Sequence, residues 1–255
     1  MSIIHEERPS DSPYVERIMY GRTLSEDSPA RPAECHWHMV FVRKDGEVRV
    51  VFVGPWTTAG FTYYEAGAEI LWIKFKLGTF MPHLPARNLL DAETILPEAA
   101  SRTFWLKGSA WQFPDDENVE IFVERLVRND VLVRDPLVET VLRGQPQALS
   151  ARAVRHRFLR VTGLSQSRIR QVERAQRAAA LLRQGTPIFD TVYEVGYFGF
   201  PSEKDLERRY QHRSAPARTP QRRGHGRQQH PDVHARTRPR PQGGACMSCR
   251  LYPAI

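Results

Sequence analysis

The spacing of apolar residues changes once along this 255-residue chain, and that change limits the folds it can adopt. Two β-rich runs, His36–Val42 and Val48–Val53, are separated by a segment that contains Asp45-Gly46, a dipeptide typical of two-residue hairpin turns. From Leu71 to Leu77 apolar and polar residues alternate, as they do in a strand buried on one face. The pattern therefore predicts a β-rich domain over residues 1–134.

Helical spacing replaces alternation from Asp115 onward. The residues that recur on one helical face there are Val119, Phe122, Val123 and Leu126. A further helix is expected over 135–143, and beyond it three helical segments start at Ser150, Ser165 and Thr186-Pro187, with capping residues expected at Ser150 and Thr186. The fold class predicted for the chain is α+β, with a β-rich N-terminal domain followed by an all-α domain.

The net charge of +8 is distributed unevenly. Residues 1–149 carry 16 Lys and Arg against 22 Asp and Glu, residues 150–201 carry 9 against 3, and residues 202–255 carry 12 against 4. The first two blocks cancel, so the excess of the whole chain belongs to its last 54 residues. Charge alone is therefore weak evidence for nucleic-acid binding, whereas the basic block at 150–201 is informative.

Composition also bears on the compartment. The sequence has no apolar run near the roughly 18 residues that span a bilayer, and residues 1–10 lack the pattern of a signal peptide. Three cysteines, of which Cys35 stands alone, give no disulfide framework. We expect a cytoplasmic protein that does not associate with membranes.

The basic block carries several motifs in a fixed order. These are Leu149-Ser-Ala-Arg-Ala-Val-Arg-His-Arg-Phe-Leu-Arg-Val-Thr-Gly-Leu-Ser165, then Arg170-Gln-Val-Glu-Arg-Ala175, Ala180-Leu-Leu182 and Asp190-Thr-Val-Tyr-Glu-Val-Gly-Tyr197. Over about fifty residues this block resembles the DNA-binding domain of AraC-type (AraC/XylS) transcription regulators. Lys76–Pro85, Ser109–Pro114 and Leu132–Pro136 are similar to the cupin-like sensor domain found in one branch of that family.

The resemblance implies an AraC-type helix-turn-helix domain over 135–210 that binds double-stranded DNA through two recognition helices. The family's base-contacting positions fall on Arg152, Arg155 and His156, which share one face of a helix over 150–160. The arginines interpreted as phosphate contacts are Arg157, Arg160, Arg168 and Arg170. The resemblance also allows for a small-molecule effector, RNA polymerase and a second copy of the chain as partners. It implies no cofactor.

The sequence departs from the family pattern in two places. Only Gln145–Leu149 separates the helix over 135–143 from the recognition helix, where relatives have a full positioning helix. In the second unit, whose recognition helix would begin near Phe200-Pro201, Glu203 and Glu207 stand where apolar residues are expected. Residues 211–255 then lack periodicity. We interpret them as a disordered basic tail produced by a frame shift near 201–211, or alternatively as a nonspecific nucleic-acid arm.

Three further patterns have competing interpretations. His36-x-His38 has the spacing of cupin metal ligands but lacks the downstream Glu, so we expect no metal there. Cys246 and Cys249 have zinc or redox spacing without partner ligands. Eight aromatic residues could line an effector pocket or simply form the core: Trp37, Trp56, Tyr63, Tyr64, Trp72, Phe75, Trp105 and Trp111.

No motif indicates catalysis, and we expect a protein that is not an enzyme. The leading hypothesis is sequence-specific DNA binding controlled by a ligand in residues 1–134. Two alternatives remain, namely a ligand-binding barrel with a non-functional DNA-binding domain, and nonspecific nucleic-acid binding by the tail.

Overall fold

A computed structural model describes residues 3–99 and 102–197. Residues 1–202 cluster into one compact unit. The predictions for Phe200-Pro201, Glu203, Glu207, residues 211–255 and the pair Cys246 and Cys249 lie outside the described residues. The predicted domain boundary at 134/135 stays a prediction.

The described chain is β-rich up to Gln112 and mainly helical after it. The strands are β1 (Ile3–Pro9), β2 (Val15–Thr23), β3 (Ala30–Arg31), β4 (His38–Lys44), β5 (Glu47–Val53), β6 (Gly60–Phe61), β7 (Glu69–Phe75), β8 (Thr79–Phe80), β9 (Glu93–Leu96), β10 (Glu98–Ala99), β11 (Thr103–Leu106), β12 (Ser109–Gln112) and β13 (Val133–Arg134). The helices are α1 (Val119–Arg128), α2 (Pro136–Leu142), α3 (Ala151–Thr162), α4 (Gln166–Arg183) and α5 (Ile188–Glu194), and a 3₁₀ helix spans Ala86–Leu89. The α+β class predicted from the sequence is confirmed.

The largest sheet is antiparallel, with strand order β1-β2-β7-β4-β5-β9. The predicted hairpin joins β4 to β5, where Lys44 pairs with Glu47 across Asp45 and Gly46. Both turn residues have positive φ, 51° and 87°, as a tight two-residue turn between twisted strands requires. The short pair β3–β6 and the bridges Asp27–Tyr64 and Glu34–Trp56 form separate antiparallel pairings.

The two faces of this sheet differ because side chains alternate along each strand. On one face Met39, Phe41, Leu71 and Ile73 are buried in the main hydrophobic core with α1 and β11–β12. Strand β7 therefore follows the alternation read from the sequence. The apolar residues predicted for α1 all lie in the same core: Val119, Phe122, Val123 and Leu126.

The helices after residue 135 surround a second core. Its members are Cys35, Leu137, Val138, Val141, Phe158, Val161, Leu164, Ile169 and Val172. The cap predicted at Ser150 is confirmed, since its side chain accepts a hydrogen bond from a backbone N–H of α3. Ser165, where a helix was predicted to begin, caps α4 in the same way. The cap predicted at Thr186 is wrong, because among the described residues no side chain accepts a hydrogen bond from the first turn of α5. Helix α5 instead follows Pro187 without a side-chain cap.

No helix in residues 3–99 and 102–197 is long and apolar enough to cross a bilayer.

Candidate DNA-binding face and ligand cleft

Helix α3 is held in place by its two ends and by its apolar side. The Ser150 hydroxyl accepts the Ala153 N–H at 3.3 Å, and Gly163 closes the helix in the left-handed conformation at φ 73°. Phe158 and Val161 are 2% and 0% exposed in the second core. The orientation of the helix about its own axis is therefore fixed by burial.

The residues expected to contact bases lie on the opposite side of α3. Arg152, Arg155 and His156 are exposed, and among the described residues none forms an ion pair or side-chain hydrogen bond with them. At 100° per residue the side chains of Arg152 and His156 point about 150° to 170° away from the centre of the buried stripe around Val154, Phe158 and Val161, and that of Arg155 about 90° away. The predicted grouping of these three residues on one face is thus found in the structure, together with the half-exposed Leu159.

The four residues expected to contact phosphates are not equivalent. Arg160 and Arg170 are exposed. Arg157 instead makes a two-pronged ion pair with Asp135, with its Nε and Nη2 at 2.6 and 3.0 Å from the carboxylate oxygens. The guanidinium of Arg168 donates to Thr57 O at 3.1 Å. These two arginines link the helices to other parts of the chain.

The segment before α3 also contains a supporting helix. Asp135 caps α2 by accepting the Leu137 N–H at 3.0 Å, and the buried side of α2 packs on Phe158 and Val161 of α3. The sequence predicted that no further helix lies between the helix over 135–143 and the recognition helix, and in the structure the connection Arg143–Ser150 contains none. Helix α2 itself packs against the buried side of α3.

A cleft of about 410 Å³ lies on the face of the large sheet that is turned away from the main core. Its lining residues are Ile3, His5, Glu7, Arg17, Met19, Asp27, Pro29, Glu34, His38, Tyr64, Trp72 and Lys74. An adjoining cavity of about 170 Å³ shares five of these residues and adds Trp56. The volume of the cleft falls within the range of small-molecule sites.

Only part of the aromatic group predicted for a pocket lines these cavities. Tyr64 and Trp72 line both, and Trp56 lines the smaller one. Trp37, Phe75 and Trp111 belong to the main core, whereas Tyr63 and Trp105 are about half exposed. Alternation along the strands decides this division, because residues an odd number apart on one strand face opposite sides.

The floor of the cleft is a network of charged and polar side chains. Lys74 Nζ lies 2.6 Å from Glu34 Oε1 and 3.2 Å from Glu16 Oε1. His36 Nε2 lies 2.8 Å from Glu16 Oε2, and its Nδ1 is 3.2 Å from Glu34 at an angle too poor for a hydrogen bond. Glu34 and Lys74 line the cleft, and Glu16 and His36 extend this network of charges through their contacts with them.

Trp72 determines the tautomer of His38. Its indole N–H donates to His38 Nδ1 at 2.6 Å, so the ring carries its proton on Nε2, which points to Glu34 at 3.5 Å. Burial lowers the pKa of His38, and this effect outweighs the attraction of Glu34. His38 is therefore a neutral donor toward Glu34 at neutral pH.

For the other ionisable groups of the network, contacts with neighbouring charges outweigh the effect of burial on the pKa. Burial by itself raises the pKa of Glu16, but contacts with His36 and the charge of Lys74 reverse this and lower it to about 2. Burial likewise opposes ionisation of Glu34, yet contacts with His36, His38 and Lys74 hold its pKa far below the ordinary value of 4.5. Burial also lowers the pKa of His36, but Glu16 and Glu34 outweigh it and raise the pKa.

The sequence pattern did not reveal this network as a unit. Glu34 lies two residues before His36 and four before His38, so Glu34-x-His36-x-His38 was a visible signal of side chains on one face. Glu16 and Lys74 come from strands that only the sheet register brings alongside. Within the described ranges, no group of three or more His, Cys, Asp or Glu side chains is arranged to hold a metal ion.

Comparison with protein-family models, with curated proteins and with solved structures finds no match to this chain. The functional interpretation therefore rests on the residues and the geometry described above.

Proposed function

We propose that this chain is a sequence-specific DNA-binding transcription regulator of the AraC type. The observation that carries the proposal is the face of α3 with Arg152, Arg155 and His156, exposed on a helix whose other side is buried. An arginine can pair with O6 and N7 of guanine, and a histidine can donate to or accept from a purine edge. On this proposal α3 is the recognition helix that presents this face to the major groove, and α2 packs against its buried side.

The four arginines expected to contact phosphates have different roles in this proposal. Arg160 and Arg170 are free of contacts with described residues and are the best candidates for phosphate contacts, which fix register without reading sequence. Arg157 and Arg168 hold the helices to Asp135 and Thr57. We therefore assign the latter two a positioning role in addition to any contact with phosphate.

The test is selection of binding sites from a pool of randomised duplexes with the full-length chain. Arg155→Ala is expected to relax preference at one position of the selected site, with a loss of about 1 to 3 kcal/mol for the preferred base. Arg170→Ala should instead weaken binding to all sequences alike and reduce the salt slope by about one.

Arg183→Ala removes an exposed arginine from the far end of α4 and is the control for charge alone. Absence of any enriched sequence would refute the proposed function. Identical effects of Arg155→Ala and Arg170→Ala would refute the division of roles.

We further propose that the cleft on the large sheet, within a cupin-like domain, is the effector site of this regulator. Met19, Tyr64 and Trp72 give the cleft an apolar and aromatic surface, and charged lining residues are paired, Glu7 with Arg17 and Glu34 with Lys74. A charged ligand would lose its hydration and would have to compete with these ion pairs, so a compact, neutral, aromatic compound fits best.

Indole, indole-3-acetate and tryptamine are suitable probes because they differ mainly in charge. A ligand that binds the folded state raises the thermal midpoint of unfolding. Indole should therefore raise the midpoint of the full chain more than indole-3-acetate or tryptamine does. Met19→Trp places a bulky side chain in the cleft and should abolish this rise. Equal shifts in the wild type and in Met19→Trp would rule out the cleft as the site.

A further inference from the structure

The segment Ala33–His36 lies between the cleft and the helical core and contacts both. The side chains of Glu34 and His36 belong to the charged floor of the cleft. Those of Ala33 and Cys35 pack in the second core, where Cys35 is 3% exposed beside residues of α2, α3 and α4. Consecutive side chains of one extended segment therefore serve two different sites.

Hydrogen bonds attach helix α4 to the backbone of this region at two points. Gln176 Nε2 donates to Ala33 O at 2.7 Å, and Arg168 Nη2 donates to Thr57 O at 3.1 Å. Glu34 and Trp56 in turn exchange backbone hydrogen bonds of 2.8 and 2.7 Å. The side chains of Glu34 and Trp56 line the cavities. Helix α4 is bonded to the neighbours of these two residues, Ala33 and Thr57.

We propose that the segment Ala33–His36 transmits occupancy of the cleft to α4 and, through the shared core, to the DNA-binding face of α3. This inference rests on the proposed function, since it names how that cleft would regulate DNA binding.

The physical reason is the close packing of both sides. A ligand that displaces Glu34 also displaces the backbone of Cys35, and a core without voids cannot absorb that movement locally. Ile169 and Val172 of α4 share this core with Phe158 and Val161 of α3, so a shift of one helix changes the packing of the other. Coupling of this kind typically alters an equilibrium by about 5- to 150-fold.

Hydrogen–deuterium exchange of the full-length chain tests the coupling without a known effector. Met19→Trp fills the cleft and stands in for a ligand, and Ile121→Trp places the same side chain on the exposed side of α1 as a control. Gln176→Glu removes the donor to Ala33 O at nearly constant size. Gln184→Glu makes the same change at an exposed position on the end of α4.

Met19→Trp is expected to change amide exchange in peptides over 151–162 and 166–176 by about fivefold or more, the lower end of typical coupling. Ile121→Trp should not do so. Adding Gln176→Glu to Met19→Trp should remove most of this change, whereas adding Gln184→Glu should preserve it. If Met19→Trp does not unfold cooperatively, Met19→Phe replaces it with a smaller increase in volume.

Two results would overturn the proposal. One is a change confined to residues near the cleft, with α3 and α4 unaffected. The other is a change in α3 and α4 that persists in full with Gln176→Glu. Neither result depends on DNA, so failure of the coupling and failure of sequence-specific binding are distinguishable.

Discussion

Replacement of Phe158 by alanine tests the orientation of α3 on which the DNA-binding face depends. The side chain is 2% exposed and packs in the second core with Leu137 and Ile169. Truncation of a buried phenylalanine typically costs about 3 to 5 kcal/mol, because apolar contacts are lost and a cavity remains. For a unit of this size that corresponds to a fall of roughly 10 °C in the thermal midpoint.

The next residue of the same helix provides a matched control. Leu159 is 51% exposed on the side of Arg155. Since only about half of this side chain leaves water on folding, Leu159→Ala should cost about 1 kcal/mol. The free energy of unfolding is measured for both variants by urea titration followed by far-ultraviolet circular dichroism.

The comparison refutes the reasoning if the two substitutions cost the same, or if Leu159→Ala costs more. Either outcome would mean that α3 is rotated about its axis relative to the structure. Arg152, Arg155 and His156 would then not form the solvent-facing side of the helix.

Three other predictions concern the surroundings of the two sites. Gly163→Ala should lower the midpoint of thermal unfolding more than Gly144→Ala does. Both glycines have positive φ, but only at Gly163 would an added Cβ contact another residue, with Ala86 O at 3.1 Å. Because the cleft carboxylates have lowered pKa values, their contribution to the stability of the folded state is complete above pH 4.5 and is lost as pH falls toward about 2. In an acid titration Glu34→Gln should therefore lose less stability than the wild type does. Burial raises the pKa of Cys35 to about 12, so peptide-resolved alkylation at pH 8 should be far slower in the native protein than in urea. Rapid native alkylation would mean that Cys35 is not buried against the helices.

Much of the local structure could be predicted because its signals are local. The Asp45-Gly46 hairpin follows from the conformation that two adjacent residues must adopt, and the buried face of α1 follows from helical spacing. The exception is Thr186, whose side chain does not cap α5. A residue type that favours capping does not by itself place its side-chain oxygen within reach of the first-turn N–H groups.

The face that we propose contacts bases was also accessible from the sequence, since Arg152, Arg155 and His156 lie within five residues of one helix. The floor of the cleft was not. Glu16, Glu34 and Lys74 are dozens of residues apart or on different strands, and only the register of β2, β4 and β7 brings their charges within contact distance.

The sequence by itself determined the class of the fold, the hairpin of β4 and β5, the starts of α3 and α4 and the exposed arginines of α3, because periodicity and capping act over a few residues. Only the tertiary structure decided that Arg157 and Arg168 hold the helices to Asp135 and Thr57. It alone also placed Ala33–His36 between the cleft and the helical core. These contacts join residues more than twenty positions apart, and their partners are chosen by packing and sheet register rather than by any local pattern.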